Sequence, residues 1–240
     1  MSRVDLARRD TVVRELMDDP HCDPDRLRRT LERFSIVNRL ISGWGGVYRT
    51  RIRPIARRRA ADGTPLRILD IGCGGGDVLE RLITRAEADG ASVDAWGIDP
   101  DGRALAVAQA RPGHRASYRR AHSSDVVAEL DDGGDRFDVV ISNHVLHHLD
   151  DPALAAVLAD SAALSRAIVV HSDIARSPVA YLAYAVAITP LAPGSFLRTD
   201  GLRSIRRSWT PDELAAVLPD GWSAVRARPF RVLAVRGGRS

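Results

Sequence analysis

The stretch ILDIGCGGGD at residues 68–77 decides the fold, because a buried apolar run ends there in a cluster of glycines and a helical pattern begins. Glycines at such a turn reach positive φ angles and let a ligand approach the backbone closely. The N-terminus of the following helix presents N–H groups that have no partner within the helix. The stretch therefore predicts a strand–loop–helix unit that binds a nucleotide-like ligand.

Two details distinguish this loop from one that binds a dinucleotide. Its glycines follow the spacing Gly-x-Gly-x-Gly, and Asp77 stands where a dinucleotide fingerprint carries its third glycine. An acid, Asp70, also lies two residues before the first glycine and would repel a pyrophosphate. A carboxylate at this place instead suits a ligand that has a cationic amino-acid part.

A second acid, Asp99, ends the run AWGID, 23 residues after the last glycine of the loop. An acid at about this distance, at the C-terminal end of a strand, is placed to accept hydrogen bonds from both hydroxyls of a ribose. The alternative for an isolated strand-end aspartate is to cap the next helix. Because Asp99 follows a glycine loop, the ribose role is favoured.

Short apolar runs alternate with helical patterns along the rest of the chain. The helices begin near Asp77, Gly102, Asp151 and Pro211. This alternation is typical of right-handed crossovers around a mostly parallel sheet. The last two runs, joined by a turn around Pro229, predict an antiparallel hairpin at one edge. The apolar runs cover residues 67–71, 93–98, 137–142, 167–172, 223–227 and 230–235.

The region before the loop carries a helical pattern instead. Apolar residues recur there at spacings of three and four, most clearly between residues 27 and 41, and this predicts cap helices over residues 5–59. Residues 60–65 have the composition of a linker. The sequence therefore predicts an N-terminal helical cap at 1–62 and an α/β domain at 63–240, with a lid insertion at about 177–208.

The composition excludes several classes of enzyme. All 35 basic residues are arginine, because the chain contains no lysine. A Walker phosphate loop, a pyridoxal enzyme and a Schiff-base aldolase each need a lysine, so all three are excluded. The two cysteines, Cys22 and Cys73, form no disulfide framework or cysteine-rich metal site. Together with a charged N-terminus that lacks a signal-peptide core, this predicts a cytoplasmic protein.

Two segments leave alternatives open. Six of the eleven residues 49–59 are arginine, a pattern of nucleic-acid or anionic-membrane surfaces but also of a solvated helix end, which we favour. Residues 177–197 carry no charge, yet three prolines leave too short a helix for the roughly 20 residues that cross a bilayer. An apolar lid over a substrate is favoured, while core packing and peripheral membrane contact stay open. The sequence does not determine the oligomeric state.

Three pieces taken in order, LDIGCGGG at 69–76, GID at 97–99 and FDVVISNHVLHHL at 137–149, resemble the motif series of class I methyltransferases that use S-adenosylmethionine (SAM). The resemblance covers about residues 67–235. It implies a Rossmann-like, seven-stranded and mostly parallel sheet, with SAM lying across the C-terminal strand ends. It also implies that Asp125 meets the adenine amino group and that Asn143, His144 and Val145 line the methionine end. The cofactor-binding residues predicted in all are Asp70, Gly72, Cys73, Gly74, Gly76, Asp99, Pro100, Ser124, Asp125, Val126, Asn143 and His144.

Two further segments bear on the methyl acceptor. Residues 34–44 resemble the segment before the glycine loop in quinone-biosynthesis methyltransferases, and residues 200–210 resemble bacterial methyltransferases associated with type III polyketide synthases. Both resemblances imply a small hydrophobic acceptor, aromatic or polyketide-like, and a role in secondary metabolism. O-methylation is favoured over C-methylation of a quinone-like precursor. An RNA methyltransferase, which lacks support from an Asn-Pro-Pro-Tyr-type motif at 142–145, and a non-catalytic SAM-binding protein are the alternatives.

A phenol has a pKa near 10, so its methylation benefits from a base within hydrogen-bond reach. His144 directly follows a strand end and is the first candidate, with a purely cofactor-lining role as its alternative. His147 is the second candidate, and packing or capping is its alternative. Asp173 closes a strand and could act as base, substrate acceptor or cap. No histidine–carboxylate cluster has a metal-binding spacing in the sequence, so a metal-independent enzyme is predicted.

Overall fold

The computed structural model describes residues 4–131 and 134–237. The outermost residues of the two predicted units, 1–3 and 238–240, lie outside the described part. The predicted cap contains α1 (Pro24–Ile41), α2 (Trp44–Val47), a π-helical turn (Tyr48–Ile52) and α3 (Arg53–Ala61). Helix α1 begins at Pro24 because the preceding Asp23 side chain accepts a hydrogen bond from the Arg26 backbone N–H.

The first part of the predicted cap is not helical. Residues 4–23, which we call the N-terminal strap, form bends and turns only. The side chain of Asp200 accepts hydrogen bonds from the backbone N–H groups of Leu16 and Met17, at 2.8 and 3.0 Å. The carbonyl oxygen of Val13 accepts from the guanidinium of Arg207. Side chains far along the sequence thus satisfy part of the strap's backbone in place of helical hydrogen bonds.

The sheet has the predicted architecture. Its strand order is β3-β2-β1-β4-β5-β7-β6, with β1 to β5 parallel and β7 antiparallel to both of its neighbours. The predicted mostly parallel sheet of seven strands with a terminal antiparallel hairpin is thus confirmed. The strands are β1 (Leu66–Ile71), β2 (Val93–Asp99), β3 (Ser117–Arg120), β4 (Phe137–Asn143), β5 (Ser165–Ile174), β6 (Trp222–Ala227) and β7 (Arg231–Gly237).

Helices cover both faces of this sheet. Alternate residues of β1 enter different cores: Ile68 packs with α2, α3 and α4, whereas Leu69 packs on the face that carries α6 and α7. The four helix starts predicted from the sequence are present. The helices after β1 are α4 (Asp77–Ala88), α5 (Gly102–Gln109), α6 (Ser123–Asp131), α7 (Asp151–Leu164), α8 (Pro178–Ala187), α9 (Leu197–Arg207) and α10 (Pro211–Val217).

The segment predicted as a lid contains α8, a 3₁₀ turn and α9. Val179, Leu182 and Val186 of α8 point outward and are 63–69% exposed, while Ala180 and Tyr184 are buried on the inner side. Along the described chain, the helices all fall short of the length and apolar character needed to cross a bilayer. Residues of α8 and α9 line the cavity at the C-terminal end of the sheet, and the role of the segment as a lid stays a prediction.

The arginine run at 49–59 is largely paired with acids. Arg53 and Arg57 contact Asp89, with N–O distances of 2.8 and 3.2 Å. Arg59 donates to Asp138, and Arg58 lies 3.9 Å from Asp62. Four of the six arginines therefore have a carboxylate partner, which favours the solvated helix over a phosphate-binding surface.

Candidate active site

A cavity of about 630 Å³ lies at the C-terminal ends of the parallel strands. This is the edge at which open α/β sheets bind their ligands, and the volume is within the usual range for small-molecule sites. The glycine loop, the N-terminal strap, α1 and α8 all contribute to its wall. Among the residues predicted from the sequence, those that line it are Asp70, Gly72, Cys73, Gly74, Asp99, Pro100, Asn143, His144, Val145 and His147.

Several predicted residues lie away from the cavity wall. Gly76 packs beneath Tyr118, and a Cβ atom at Gly76 would lie 2.3 Å from the hydroxyl oxygen of Tyr118. Asp125 accepts a hydrogen bond from the His122 backbone N–H at 2.8 Å, and Val126 is buried in the core. Asp125, its neighbour Ser124 and Val126 are not part of the lining. Their predicted contact with an adenine stays a prediction.

The glycine loop is held against the end of β2. The backbone N–H groups of Gly72 and Cys73 both donate to the carbonyl oxygen of Ile98, at 2.8 and 3.0 Å. Gly72 has a φ of +67°, and a Cβ atom there would lie 2.6 Å from Val145. Gly74 has a φ of +53° and faces open space. A side chain is thus excluded at Gly72, while at Gly74 the backbone is open to a ligand.

Asp99 is fixed with both carboxylate oxygens in use. Its Oδ2 accepts from the backbone N–H of Gly74 at 2.9 Å, and its Oδ1 accepts from that of Asp101 at 2.8 Å. Burial raises the pKa of Asp99, and the two backbone hydrogen bonds oppose this rise. Each oxygen keeps a further lone pair. The side chain, which lines the cavity, can therefore accept from two ribose hydroxyls.

Asp70 is a buried carboxylate with an unsatisfied oxygen. It is 1% exposed, and in the described part of the chain its Oδ1 has no hydrogen-bond partner. Burial raises its pKa well above the ordinary value, and the nearby Asp77 and Asp99 add to the rise. An ion buried in this way is costly unless a donor reaches it. The site accordingly fits a ligand that brings positive charge and N–H groups, as the amino-acid part of SAM does.

His147 lies between two carboxylates. Its Nδ1 is 2.8 Å from Asp173 and its Nε2 is 3.0 Å from Glu15 of the strap. Burial alone would lower the pKa of His147, but Asp173 and then Glu15 outweigh it and raise the pKa to about 10. With an acceptor at each nitrogen, both nitrogens carry hydrogen and the ring is an imidazolium.

Asp173 holds this ring in place from behind. It is fully buried and does not line the cavity. It also accepts hydrogen bonds from the backbone N–H groups of His147 and Ile174, at 3.0 and 2.7 Å. Burial disfavours its charge, but His147 outweighs burial and lowers the pKa of Asp173. Asp173 is therefore placed to position His147 rather than to touch a substrate.

His144 has its lone pair occupied. Its Nε2 lies 2.7 Å from Nη1 of Arg231, which can only donate, so Nε2 is the acceptor and the remaining hydrogen is on Nδ1. Burial, followed by the charge of Arg231, lowers the pKa of His144 well below its ordinary value. His144 also has a φ of +61°, an uncommon conformation for a residue with a side chain. The first-choice base of the sequence prediction is thus a neutral ring already bound to a cation.

Sequence reasoning missed two functional side chains, Glu15 and Arg231. Arg231 is 3% exposed and donates to Asn143 Oδ1 at 2.7 Å and to Ser172 Oγ at 2.8 Å as well as to His144. Its signal was an arginine at the start of an apolar strand. Glu15 gave no signal, because it reaches His147 across 132 residues of sequence.

The spatial arrangement does bring together side chains that could hold a metal ion. Glu15, His147 and His148 form one such group, and His144, His147 and Asp173 form another. Both groups share His147, whose two nitrogens already face carboxylates. A metal would need one of these nitrogens deprotonated. The prediction of a metal-independent enzyme, which rested on spacing along the chain, stays a prediction.

Apolar side chains line the part of the cavity beneath the lid. Phe34 and Val37 come from α1, Tyr184 comes from α8, and Phe230 precedes β7. The hydroxyl of Tyr184 donates to the carbonyl oxygen of Leu197 at 2.8 Å. Its hydrogen-bond donor is therefore satisfied without a ligand. This half of the cavity can enclose an apolar molecule beside the glycine loop.

The family model for the methyltransferase domain matches residues 45–217, and the chain belongs to this family. With the seven-stranded sheet and the glycine loop, it belongs among the class I SAM-dependent methyltransferases. SAM is the cofactor of this family. The match begins in α2 and ends in α10, so the strap and α1 lie outside it.

Two curated relatives are ubiquinone biosynthesis O-methyltransferases. The one from Azorhizobium caulinodans is 41% identical over 92 residues, which cover 37% of this chain and 32% of the relative. The one from Azotobacter vinelandii is 33% identical over 153 residues, which cover 62% of this chain and 61% of the relative. In both comparisons the match spans less than two thirds of the relative.

Solved structures of plantazolicin methyltransferases share the fold. BpumL in complex with S-adenosylhomocysteine (SAH) superimposes with a TM-score of 0.53 at 14% identity, over 89% of this chain and 96% of that one. BamL, in complex with a triazolic desmethylPZN analog and SAH, gives a TM-score of 0.51 at 19% identity, over 86% of this chain and 77% of that one. At these identities the likeness concerns the fold alone.

Proposed function

We propose that this protein transfers the methyl group of SAM to a hydroxyl group of a small hydrophobic acceptor, aromatic or polyketide-like. The observation that carries the proposal is the single cavity in which the acidic, glycine-lined half continues into an apolar half beneath the lid. A cofactor in the first half would present its methyl group towards the second. The names of the ubiquinone biosynthesis relatives, which are O-methyltransferases, support the choice of oxygen.

The residues of the first half would hold the cofactor. Asp99 would accept from the ribose hydroxyls, Asp70 would face the amino-acid part, and the open backbone at Gly74 would lie against the ligand. When bound, SAM supplies the electrophilic methyl group and a neutral thioether leaving group. The protein has to align the acceptor oxygen, exclude water and take up the hydroxyl proton.

His147 is the base in this proposal. In the described arrangement Glu15 occupies Nε2, the nitrogen that faces away from Asp173. For an acceptor hydroxyl to take the place of the Glu15 carboxylate, the proton on Nε2 of the imidazolium would first leave with that carboxylate or to solvent. The hydroxyl would then pass its own proton to the neutral ring at Nε2 as its oxygen bonds to the methyl carbon and the sulfur departs as a thioether. Asp173 would stabilise the imidazolium that results. His144 is the weaker choice, because Arg231 occupies its only free lone pair.

The strap and the lid would keep water from the reacting atoms. Glu15 is 5% exposed, and its Oε1 also accepts from the hydroxyl of Ser204 on α9 at 2.6 Å. The strap is thereby joined to the lid directly above His147. Water would weaken the alignment and compete with the acceptor hydroxyl for the hydrogen-bonding position at His147.

Transfer of a tritiated methyl group from labelled SAM tests the proposal. The acceptors to compare are phenols, resorcinols, quinone precursors and RNA, each with wild-type protein and with a His147→Gln variant. We expect label on the oxygen of a phenol or resorcinol and loss of this label in the variant. Label on carbon would support C-methylation instead, and label in RNA would contradict the small-molecule acceptor.

A further inference from the structure

A second buried carboxylate, Asp77, lies beside Asp70 in the cavity wall. It is the first residue of α4, directly after the glycine loop, and it is 7% exposed. Its Oδ1 accepts a hydrogen bond from Nδ2 of Asn38, a residue of α1, at 3.1 Å. Its Oδ2 has no hydrogen-bond partner among the residues that the structure describes.

The position of Asp77 at a helix start does not explain this arrangement. An acid in the first turn of a helix is normally stabilising, because it interacts with free N–H groups while staying hydrated. Here burial raises the pKa of Asp77, with the hydrogen bond from Asn38 and the charges of Arg111 and Arg81 opposing the rise. The net effect of the surroundings is to disfavour the charged carboxylate.

Two carboxylates thus face one end of the cavity, and each keeps an unsatisfied oxygen. These are Oδ1 of Asp70 and Oδ2 of Asp77. After burial, Asp77 is the foremost group that raises the pKa of Asp70. A cation with several N–H donors would satisfy both oxygens and remove the repulsion.

Asn38 fixes the second carboxylate from the cap. Its Oδ1 accepts from Nδ2 of Asn143 at 3.4 Å, and Asn143 in turn accepts from Nε1 of Trp44 at 3.0 Å. The chain of hydrogen bonds runs from α1 to the end of β4 and spans the mouth of the glycine loop. The carboxylate of Asp77 therefore has one held oxygen and one free oxygen in the cavity wall.

We propose that Asp70 and Asp77 form a two-carboxylate clamp for the primary α-ammonium group of the cofactor, and that Asn38 is the residue that positions Asp77. The clamp recognises the amino-acid part of SAM and SAH, which carries the ammonium group in both. It does not depend on the identity of the methyl acceptor.

Calorimetry with three ligands tests the clamp. SAH carries the ammonium group, its deaminated analogue lacks only that group, and 5′-methylthioadenosine lacks the whole amino-acid part. The variant Asp77→Asn keeps the size of the side chain and the acceptor for Asn38 but removes the charge. We expect its affinity for SAH to fall by about 10- to 100-fold, as for loss of a charged hydrogen bond, with 5′-methylthioadenosine within about twofold of wild type.

Thermal unfolding without ligand separates this role from a structural one. Removing an unsatisfied buried charge should leave the melting temperature of Asp77→Asn equal to that of wild type or above it, while the stabilisation by SAH decreases. A structural role would lower the melting temperature and weaken both ligands together. Asp101→Asn is the matched control, since this cavity-lining acid pairs with Arg103 near the ribose end and should leave the ratio of the two affinities unchanged.

The wild-type protein provides an independent measurement. We expect it to bind SAH at least about tenfold more tightly than the deaminated analogue. Equal binding of these two ligands would overturn the clamp, as would an Asp77→Asn variant that loses SAH and 5′-methylthioadenosine equally or loses neither. Failure to methylate any acceptor would leave these binding results unaffected.

Discussion

The two halves of the cavity are built in different ways. The cofactor half comes from the glycine loop and the ends of β1 and β2, and backbone N–H groups of the loop hold its side chains, as that of Gly74 holds the carboxylate of Asp99. The acceptor half comes from the strap, α1, α8 and the ends of β4 and β5, which meet only in the folded protein. The first half is a local unit of the sheet, whereas the second is an assembly of distant segments.

This difference indicates in which half of the cavity substitutions can change specificity for the acceptor. The cofactor half lies at strand ends that also carry the core, so replacing a glycine or an apolar residue there disturbs the sheet. The acceptor half is formed by a strap without helices and by a lid with an exposed outer face. Residues of the strap and the lid can be replaced with little loss of stability in the sheet.

The largest expected effect is a loss of kcat when His147 in the acceptor half is replaced. His147→Gln should lower kcat by about 10² to 10⁴-fold, because it removes the base, and should leave SAH affinity unchanged. Methyl transfer and calorimetry measure the two quantities. His21→Gln, on the exposed part of the strap, is the control. If His147→Gln kept more than a tenth of the wild-type kcat, the acceptor half would need another base.

The next effect concerns the cofactor half. Asp99→Ala should weaken SAH and 5′-methylthioadenosine alike, by about 100-fold, because both ligands carry the ribose that this acid is placed to bind. Calorimetry measures both affinities. Undiminished affinity would remove Asp99 from the cofactor site. A loss of affinity for SAH but not for 5′-methylthioadenosine would mean that Asp99 contacts the amino-acid part of the cofactor instead of the ribose.

A smaller effect is expected from the strap, whose Glu15 raises the pKa of His147 in the acceptor half. A base works when deprotonated, so activity should rise as the pH rises through the pKa of His147. The charged or titratable groups around His147 are Asp173, Glu15, His144, His148, Arg207, Arg9 and Arg231. Because Glu15 contacts His147 in the free enzyme and raises this pKa, Glu15→Gln should move the rise in kcat/KM to lower pH, by about one unit.

The pH–rate profile of Glu15→Gln tests this expectation. Asp10→Asn is the control, since it removes the strap's ion pair with Arg206 and leaves Glu15 in place. An unchanged profile in Glu15→Gln would mean that Glu15 only anchors the strap.

The smallest effect is expected from metal removal. Dialysis against a chelator should change kcat by less than about twofold, because His147 uses both nitrogens for carboxylates. Metal content and activity are measured on the same sample. A large loss that a divalent cation restores would assign a metal to the cluster around His147 and would overturn the prediction from the sequence.

The sequence predicted the cofactor half because its signals are contiguous. The glycine loop, Asp70 and Asp99 lie within 30 residues, and each of them lines the cavity. Strand β3 escaped prediction, because Ser117–Arg120 is a polar edge strand with no apolar alternation. Asp77 was noted only as an absent glycine, since nothing in the sequence shows that its carboxylate is buried.

The acceptor half could not be predicted to the same depth. Residues 5–23 have helical spacing, but part of the backbone there bonds to Asp200 of α9 and to the side chain of Arg207. The hydrogen bonds within the segment form only isolated turns, such as the one from Cys22 N–H to the Asp19 carbonyl oxygen. Position along the chain ranks His144 first among the base candidates, and this ranking stays a prediction. His144 lies nearest to the strand end, yet only the folded structure shows that Arg231, 87 residues away, occupies its nitrogen.

The strap also bears on how the molecule assembles during synthesis. Leu16 docks on Asp200, so the partners of this contact are made 184 residues apart. The cavity can be roofed only after α9 has been synthesised, when the sheet beneath it is almost complete. Contacts of such long range form slowly and late. A nascent chain that is interrupted before α9 would keep its cofactor loop but would leave the acceptor side open to solvent.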